Sequence, residues 1–155
     1  MLDIQILVDF AHESNRIEGI NSLALDVPHG YALGQLLSVD RMLTVADVDE
    51  FVRTIQPDAS FRSLPGLDVY VGNHRPIPGG PRVMAEMVQL LLEINNNLYH
   101  PFGTHKMYET LHPYTDGNGR SGRALWLWQM HKYHGYKAER LFLWQWYYQS
   151  LDNSR

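Results

Sequence analysis

Between residues 112 and 123 the chain reads His112-Pro113-Tyr114-Thr115-Asp116-Gly117-Asn118-Gly119-Arg120-Ser121-Gly122-Arg123. Glycines at 117 and 119 let the backbone take positive φ and turn successive amides around an anion. Apolar, helix-like sequence follows at once. A helix beginning near Gly119 adds its free N-terminal amides and the positive end of its dipole. Arg120 and Arg123 are three apart and share a face of that helix. Two planar guanidinium forks suit phosphate oxygens better than a point charge does. Asp116 offers a hard oxygen to Mg²⁺, which usually rides on nucleotide phosphates and takes only one or two protein carboxylates. His112, with an ordinary pKa of about 6.5, suits a general base near neutral pH. The set is equipment for holding a metal-bound polyphosphate against a nucleophile that must lose a proton.

These groups need elements to carry them. Apolar residues at Ile4, Leu7, Val8, Ala11 and Ile17 predict a helix from about Ile4 to Glu18, stopped by Gly19. Tyr31 to Leu37 reads as a second helix after Pro28 and Gly30. Thr44 is an N-cap candidate for a third, with Val45, Val48, Phe51, Val52 and Ile55 on one face. From Phe61 to Gly80 the texture changes: Val69-Tyr70-Val71 is β-like, Gly72-Asn73 offers a turn, and Pro76, Pro78, Gly79 and Gly80 forbid helix. A short hairpin or extended flap is expected there. Pro81 opens a helix with Val83, Met84, Met87, Val88, Leu91, Ile94 and Leu98 on its apolar face, and Asn95-Asn96-Asn97 reads as its fraying end. Pro101 opens another helix to about Leu111. One more runs from near Gly119 to about His134, and a last from roughly Arg140 to Leu151. The fold class is mainly α, in one domain over residues 1–155, with one small β element.

Composition limits the function. The chain has 155 residues and a formal charge of −4, with 19% charged residues. That balance lacks the basic footprint of a general nucleic-acid binder, so anions must be held by local groups. Cysteine is absent, which excludes thiolate metal sites and cysteine nucleophiles and is compatible with a cytoplasmic location. No secretory signal is visible, and no apolar run approaches the ~20 residues needed to span a membrane. His100, His105, His131 and His134 read as packing or surface residues, and Trp126, Trp128, Trp144 and Trp146 as core or dimer contacts. Gly117-x-Gly119-x-x-Gly122 matches the letters of a dinucleotide fingerprint, but the preceding residues look helical and no βαβ pattern surrounds it.

The run from His112 to Arg123 resembles the signature of the Fic family, His-x-Phe-x-Asp/Glu-Gly-Asn-Gly-Arg-x-x-Arg, with Tyr114 at the Phe position. Asn118 is similar to the family's Asn rather than to the Lys of the Doc phosphotransferases. Phe61-Arg62 and Val69 to Pro76 resemble the family's flap, and the similarity covers roughly residues 10 to 150. The resemblance implies a Fic-type helical bundle with a short β-hairpin flap at about 61–80. It implies an adenylyltransferase that moves AMP from ATP to a Ser, Thr or Tyr hydroxyl of a target protein, with Mg²⁺ as cofactor. His112 would take the hydroxyl proton and Asp116 would hold Mg²⁺. Gly117, Asn118, Gly119 and Arg120 would bind the phosphates, with Arg123 on the γ-phosphate. Val71, Gly72, Asn73 and His74 would cover the nucleotide and pair with the target backbone. Tyr147 and Tyr148 resemble a tyrosine pair near the base in some members.

Ser14-Asn15-Arg16-Ile17-Glu18-Gly19 resembles the family's inhibitory motif, Ser/Thr-x-x-x-Glu-Gly/Asn. On a helix Ser14 and Glu18 share a face, from which Glu18 can reach Arg123 and compete with ATP through a charge-assisted pair. Autoinhibition over residues 4–19 is therefore expected. Two other readings compete with transfer: a metal-dependent phosphohydrolase, including removal of AMP, and a catalytically silent binding module. A homodimer stays open.

Overall fold

The computed structural model describes residues 3–135. The helix expected from about Arg140 to Leu151 lies outside the described residues, and so do Tyr147, Tyr148, Trp144 and Trp146. Six helices follow in order: α1 (Ile4–Ile17), α2 (Leu23–Leu37), α3 (Val45–Ile55), α4 (Pro81–Asn95), α5 (Pro101–Leu111) and α6 (Asn118–His134).

The caps are readable in the sequence. Asp3 accepts the Gln5 amide at the start of α1, and Gly19, at φ +76°, ends it in the left-handed region. Thr44 and Asp47 form a reciprocal capping box on α3. Pro81 and Pro101 open α4 and α5, where a missing N–H costs nothing.

Helix α2 starts eight residues before the expected Tyr31, and Pro28 lies inside it. Tertiary contact overrides the proline. Asp26, in the first turn of α2, is buried against α1 and bonded to Asn15 and His12. Close approach of the two helices needs Gly30, because a Cβ there would stand 2.7 Å from Val8 Cγ2 and 3.0 Å from the Val8 backbone. Helix α4 also departs from expectation. Its buried side is Val83, Met87, Leu90, Leu91 and Ile94, whereas Met84, Val88 and the following Leu98 are exposed. Asn95 is not a fraying end: it is buried and clamps Leu43, accepting from its N–H at 2.7 Å and donating to its carbonyl at 2.9 Å.

Helix α6 is the axis of the molecule. Every residue from Arg120 to Met130 is buried, including Trp126 and Trp128. A helix buried on all sides must be surrounded by others, and α1, α2, α3 and α5 all pack on it. The residues 61–80 carry no β-ladder, so the expected hairpin is reduced to bridges. Val71 and His74 exchange backbone hydrogen bonds of 3.0 and 2.8 Å around Gly72-Asn73, and Phe61 bridges Tyr114. The second bridge ties the start of this flap to the loop that leads into α6.

Candidate active site

The loop between α5 and α6 is shaped by its own side chains. His112 terminates α5 in the left-handed region, φ 52° and ψ 63°, with its N–H on the Tyr108 carbonyl. Asn118 reaches back across the loop, accepting from Tyr114 N–H at 2.9 Å and donating to Tyr114 C=O at 2.8 Å. Gly117, at φ +78°, is the N-cap of α6. Ser121 N–H makes the first helical bond, to the Gly117 carbonyl at 3.0 Å. The amides of Asn118, Gly119 and Arg120 therefore form the open, positive end of a long buried helix.

His112 opens the loop that leads to that end, as the C-cap of α5. Its Nδ1 stands 3.3 Å from the Glu109 carbonyl. A carbonyl only accepts, so the proton sits on Nδ1 and Nε2 keeps its lone pair. Burial lowers the imidazole pKa below its ordinary value. Arg62 and His74 push it further down, while the Glu109 carbonyl and Glu18 oppose. The ring is neutral at pH 7, as a base requires.

Asp116 is exposed, with Oδ1 accepting the Gly117 amide at 2.7 Å. Among the described residues no group of three or more His, Cys, Asp or Glu could hold a metal by itself. One hard carboxylate beside free amides fits a Mg²⁺ that arrives on phosphates, and does not fit a protein-caged ion.

The two arginines part company. Arg120 donates to the Ile55 carbonyl at 3.2 Å and to Gln56 Oε1 at 2.7 Å, at the end of α3. Arg123 turns to α1: its Nε donates to Ser14 Oγ at 2.8 Å, and its Nη2 to Ser14 C=O at 2.9 Å and to Glu18 Oε1 at 2.7 Å. The expected convergence of both guanidinium groups on one spot is absent, because α3 and α1 each offer one of them an acceptor. Glu18 lies over the loop itself. A Cβ on Gly119 would stand 2.2 Å from Glu18 Oε1 and 3.1 Å from Arg123 Nη1. The carboxylate thus rests against the second residue of α6, where an anion gains from the helix end.

The flap reaches the same loop. His74 Nε2 is 2.8 Å from the Thr110 carbonyl, which sets the Val71-Gly72-Asn73-His74 turn against α5. Between flap, α4 and α5 lies a groove of about 340 Å³ whose apolar wall includes Ile77, Met107 and Leu111.

The Fic/DOC family model matches residues 35–130, more than half of the chain. The chain belongs to the Fic/DOC family. A Fic-domain-containing signaling protein from Bacteroides thetaiotaomicron VPI-5482 has a similar structure, with a TM-score of 0.63 and 22% sequence identity. The match covers 84% of this chain and 64% of that protein's, so the chain spans less than two thirds of it. At that identity the likeness shows a shared fold. No curated protein matches the chain.

Around the Fic loop stand residues whose contacts sequence reasoning did not give. Arg62 is wholly buried, and its guanidinium donates to the carbonyls of His112 (2.7 Å), Leu111 (2.8 Å), Ile77 (2.8 Å) and Leu67 (3.2 Å). It caps the C-terminus of α5 with a cation and staples the flap to it. Tyr114, where the Fic signature has Phe, donates its hydroxyl to Asp49 Oδ1 at 2.6 Å. Behind Gly122 lie His105 and Glu109, 3.8 Å apart. Burial lowers the His105 pKa to about 4 and raises that of Glu109 to about 7. An arginine beside a proline- and glycine-rich stretch was the one available signal for Arg62; nothing in the sequence marked Glu109.

Proposed function

We propose that this Fic protein transfers AMP from ATP to a Ser, Thr or Tyr hydroxyl of a target protein, and that Glu18 holds the activity down. The reading is supported above all by His112: a neutral imidazole with its proton on Nδ1, at the start of the short loop that leads to the free amides of α6. The target oxygen attacks the α-phosphorus in line, its proton passes to His112 Nε2, and the bond from the α-phosphorus to the bridging oxygen breaks to release pyrophosphate. The amides of Asn118, Gly119 and Arg120 stabilise charge on the phosphate oxygens, as preorganised donors do. Asp116 would hold Mg²⁺, which supplies charge neutralisation to the polyphosphate and to the departing pyrophosphate. Val71 to His74 cover the nucleotide and align the target backbone, and the groove beside them seats an apolar target side chain.

Glu18 supports the second half of the proposal. Its carboxylate rests on Gly119 and engages Arg123, which is the group expected to grip the γ-phosphate. A charge-assisted hydrogen bond contributes roughly 1.5–3 kcal/mol, equivalent to about ten- to a hundredfold in population. Incubation of purified protein with α-labelled ATP and Mg²⁺ tests both halves. Glu18→Gly is expected to label protein about ten- to a hundredfold faster than wild type, and Glu18→Gly/His112→Ala to label none. Equal rates for wild type and Glu18→Gly would remove the brake; undiminished labelling by the double variant would remove the base. Release of free AMP without labelled protein would replace transfer by hydrolysis.

A further inference from the structure

Beside the brake lies a buried polar cluster that the transfer chemistry does not use. Asn15 follows Ser14 on α1 and is 1% exposed. Its Nδ2 donates to Asp26 Oδ1 at 2.8 Å, and its Oδ1 faces His29 Nδ1 at 2.9 Å. Asp26 and His29 both belong to α2, and both are buried, at 1% and 2% exposure. The other carboxylate oxygen of Asp26 meets His12 Nδ1 at 2.8 Å, on the preceding turn of α1. The amide orientation of Asn15 is fixed on both sides: the carboxylate can only accept, and the imidazole presents N–H to the amide oxygen. His29 is neutral, its pKa lowered to about 3 chiefly by burial and then by Arg120 and Arg123.

The same residue sets the turn that carries Glu18. The Asn15 carbonyl accepts from Glu18 N–H and from Ile20 N–H, each at 2.9 Å. That tightened last turn leaves the Ser14 carbonyl to Arg123 and places Glu18 on Gly119. One residue is therefore locked to α2 through its side chain and shapes the end of α1 through its backbone.

We infer that Asn15 and Asp26 are the positioning residues of the Glu18 brake, so that α2, and not the catalytic loop, sets how firmly the inhibitory carboxylate is held. The inference rests on the reading of Glu18 as a brake. The clamp touches none of the loop from His112 to Gly119. It favours the closed pose of α1 and contributes nothing to a pose in which α1 has moved, so weakening it shifts the population toward the open form. A buried amide whose partners are a carboxylate and an imidazole is also costly to disturb, because its loss strands both.

Asn15→Ala and Asp26→Asn test the inference, each alone and combined with Glu18→Gly, with cooperative thermal melts to establish folding. Two readouts are used: labelling from α-labelled ATP, and amide hydrogen exchange. Either clamp variant is expected to raise labelling at least fivefold over wild type, and to change the rate of Glu18→Gly less than twofold. Exchange over residues 14–20 is expected to quicken at least tenfold while α3 to α6 keep their protection. Folded variants with wild-type labelling and wild-type exchange overturn the inference. An equal rise in the presence and absence of Glu18 overturns it as well, since the clamp would then act without the brake. Failure of both variants to melt cooperatively assigns the cluster to the fold as a whole and overturns it too. If Glu18→Gly itself transfers no AMP, the proposed activity falls, and exchange over residues 14–20 still decides whether the clamp holds Glu18.

Discussion

At the scale of the residue, His112 owes its aim to the backbone. A left-handed conformation at a residue with a Cβ costs of order 1–3 kcal/mol and persists only where surroundings dictate it. Here Tyr108 C=O holds its N–H and Arg62 holds its C=O. The lowered pKa gives a pH prediction with a definite sign. Protonation abolishes the base, and burial makes protonation harder, so the acid limb of the Glu18→Gly rate profile is expected below the ~6.5 of a free imidazole. A limb at or above that value would contradict the neutral, buried ring. Gly119 gives a second test. Its backbone accepts alanine, since it lies inside a helix, but the new Cβ would fall 2.2 Å from Glu18 Oε1. With Glu18 removed, Gly119→Ala is expected to change stability by less than about 0.5 kcal/mol and still lose transfer at least tenfold because the methyl fills the phosphate seat. Melting curves and labelling, both in the Glu18→Gly background, check it. Residue types were legible here: His112, Asp116 and the glycines lie at the junction of α5 and α6. Partners were not. Nothing in the spacing of Arg120 and Arg123 told that Gln56 would take one and Ser14 the other.

At the scale of the element, the site is the meeting of one helix end with another. Helix α5 finishes at His112 and α6 begins six residues later, and Arg62 binds the carbonyl end of the first to the flap. Replacing Arg62 strands several buried carbonyls at once. Arg62→Ala is expected to cost roughly 3–5 kcal/mol, the range for removing one side of a buried charged network, measured by denaturant unfolding. Loss of under about 1 kcal/mol would mean that water replaces the guanidinium. Helix boundaries followed the caps and prolines, because those are local. Pro28 misled for the opposite reason: the start of α2 is held by Asp26 against α1, a contact no local pattern encodes. The flap fell short of a hairpin because only Val71 and His74 pair around Gly72-Asn73.

At the scale of the whole molecule, the buried charges behind α6 couple stability to pH. Glu109 Oε1 is buried without a hydrogen bond. Burial chiefly, and Glu18 secondarily, raise its pKa to about 7 against the pull of Arg123. A folded-state pKa above the unfolded value means that the native state binds the proton more tightly. The stability that follows is present at acid pH and is lost as pH rises from about 4.5 through about 7. The effect is at most about 3 kcal/mol, reduced by the solvent that reaches the outer part of a side chain 29% exposed. Glu109→Gln is therefore expected to gain thermal midpoint relative to wild type, by a few degrees, between pH 5 and pH 8. A constant difference across that range would show that Glu109 is ionised throughout.

By itself the sequence determined the family, the helices α1 and α3 to α6 with the caps at Gly19, Thr44, Pro81 and Pro101, and the order of groups from His112 to Arg123, because these depend on residue type and on separations of three or four positions. The tertiary structure alone decided that α6 is buried on every side, that Arg62 holds loop and flap together, that Glu18 lies on Gly119, and that Asn15 joins α1 to α2. Those contacts join residues far apart in the chain, among them Asn15 and Asp26 at eleven positions, Arg62 and His112 at 50, and Glu18 and Arg123 at 105. Hydrogen bonds of that kind form only once burial has brought the helices together, and no periodicity in the chain announces them.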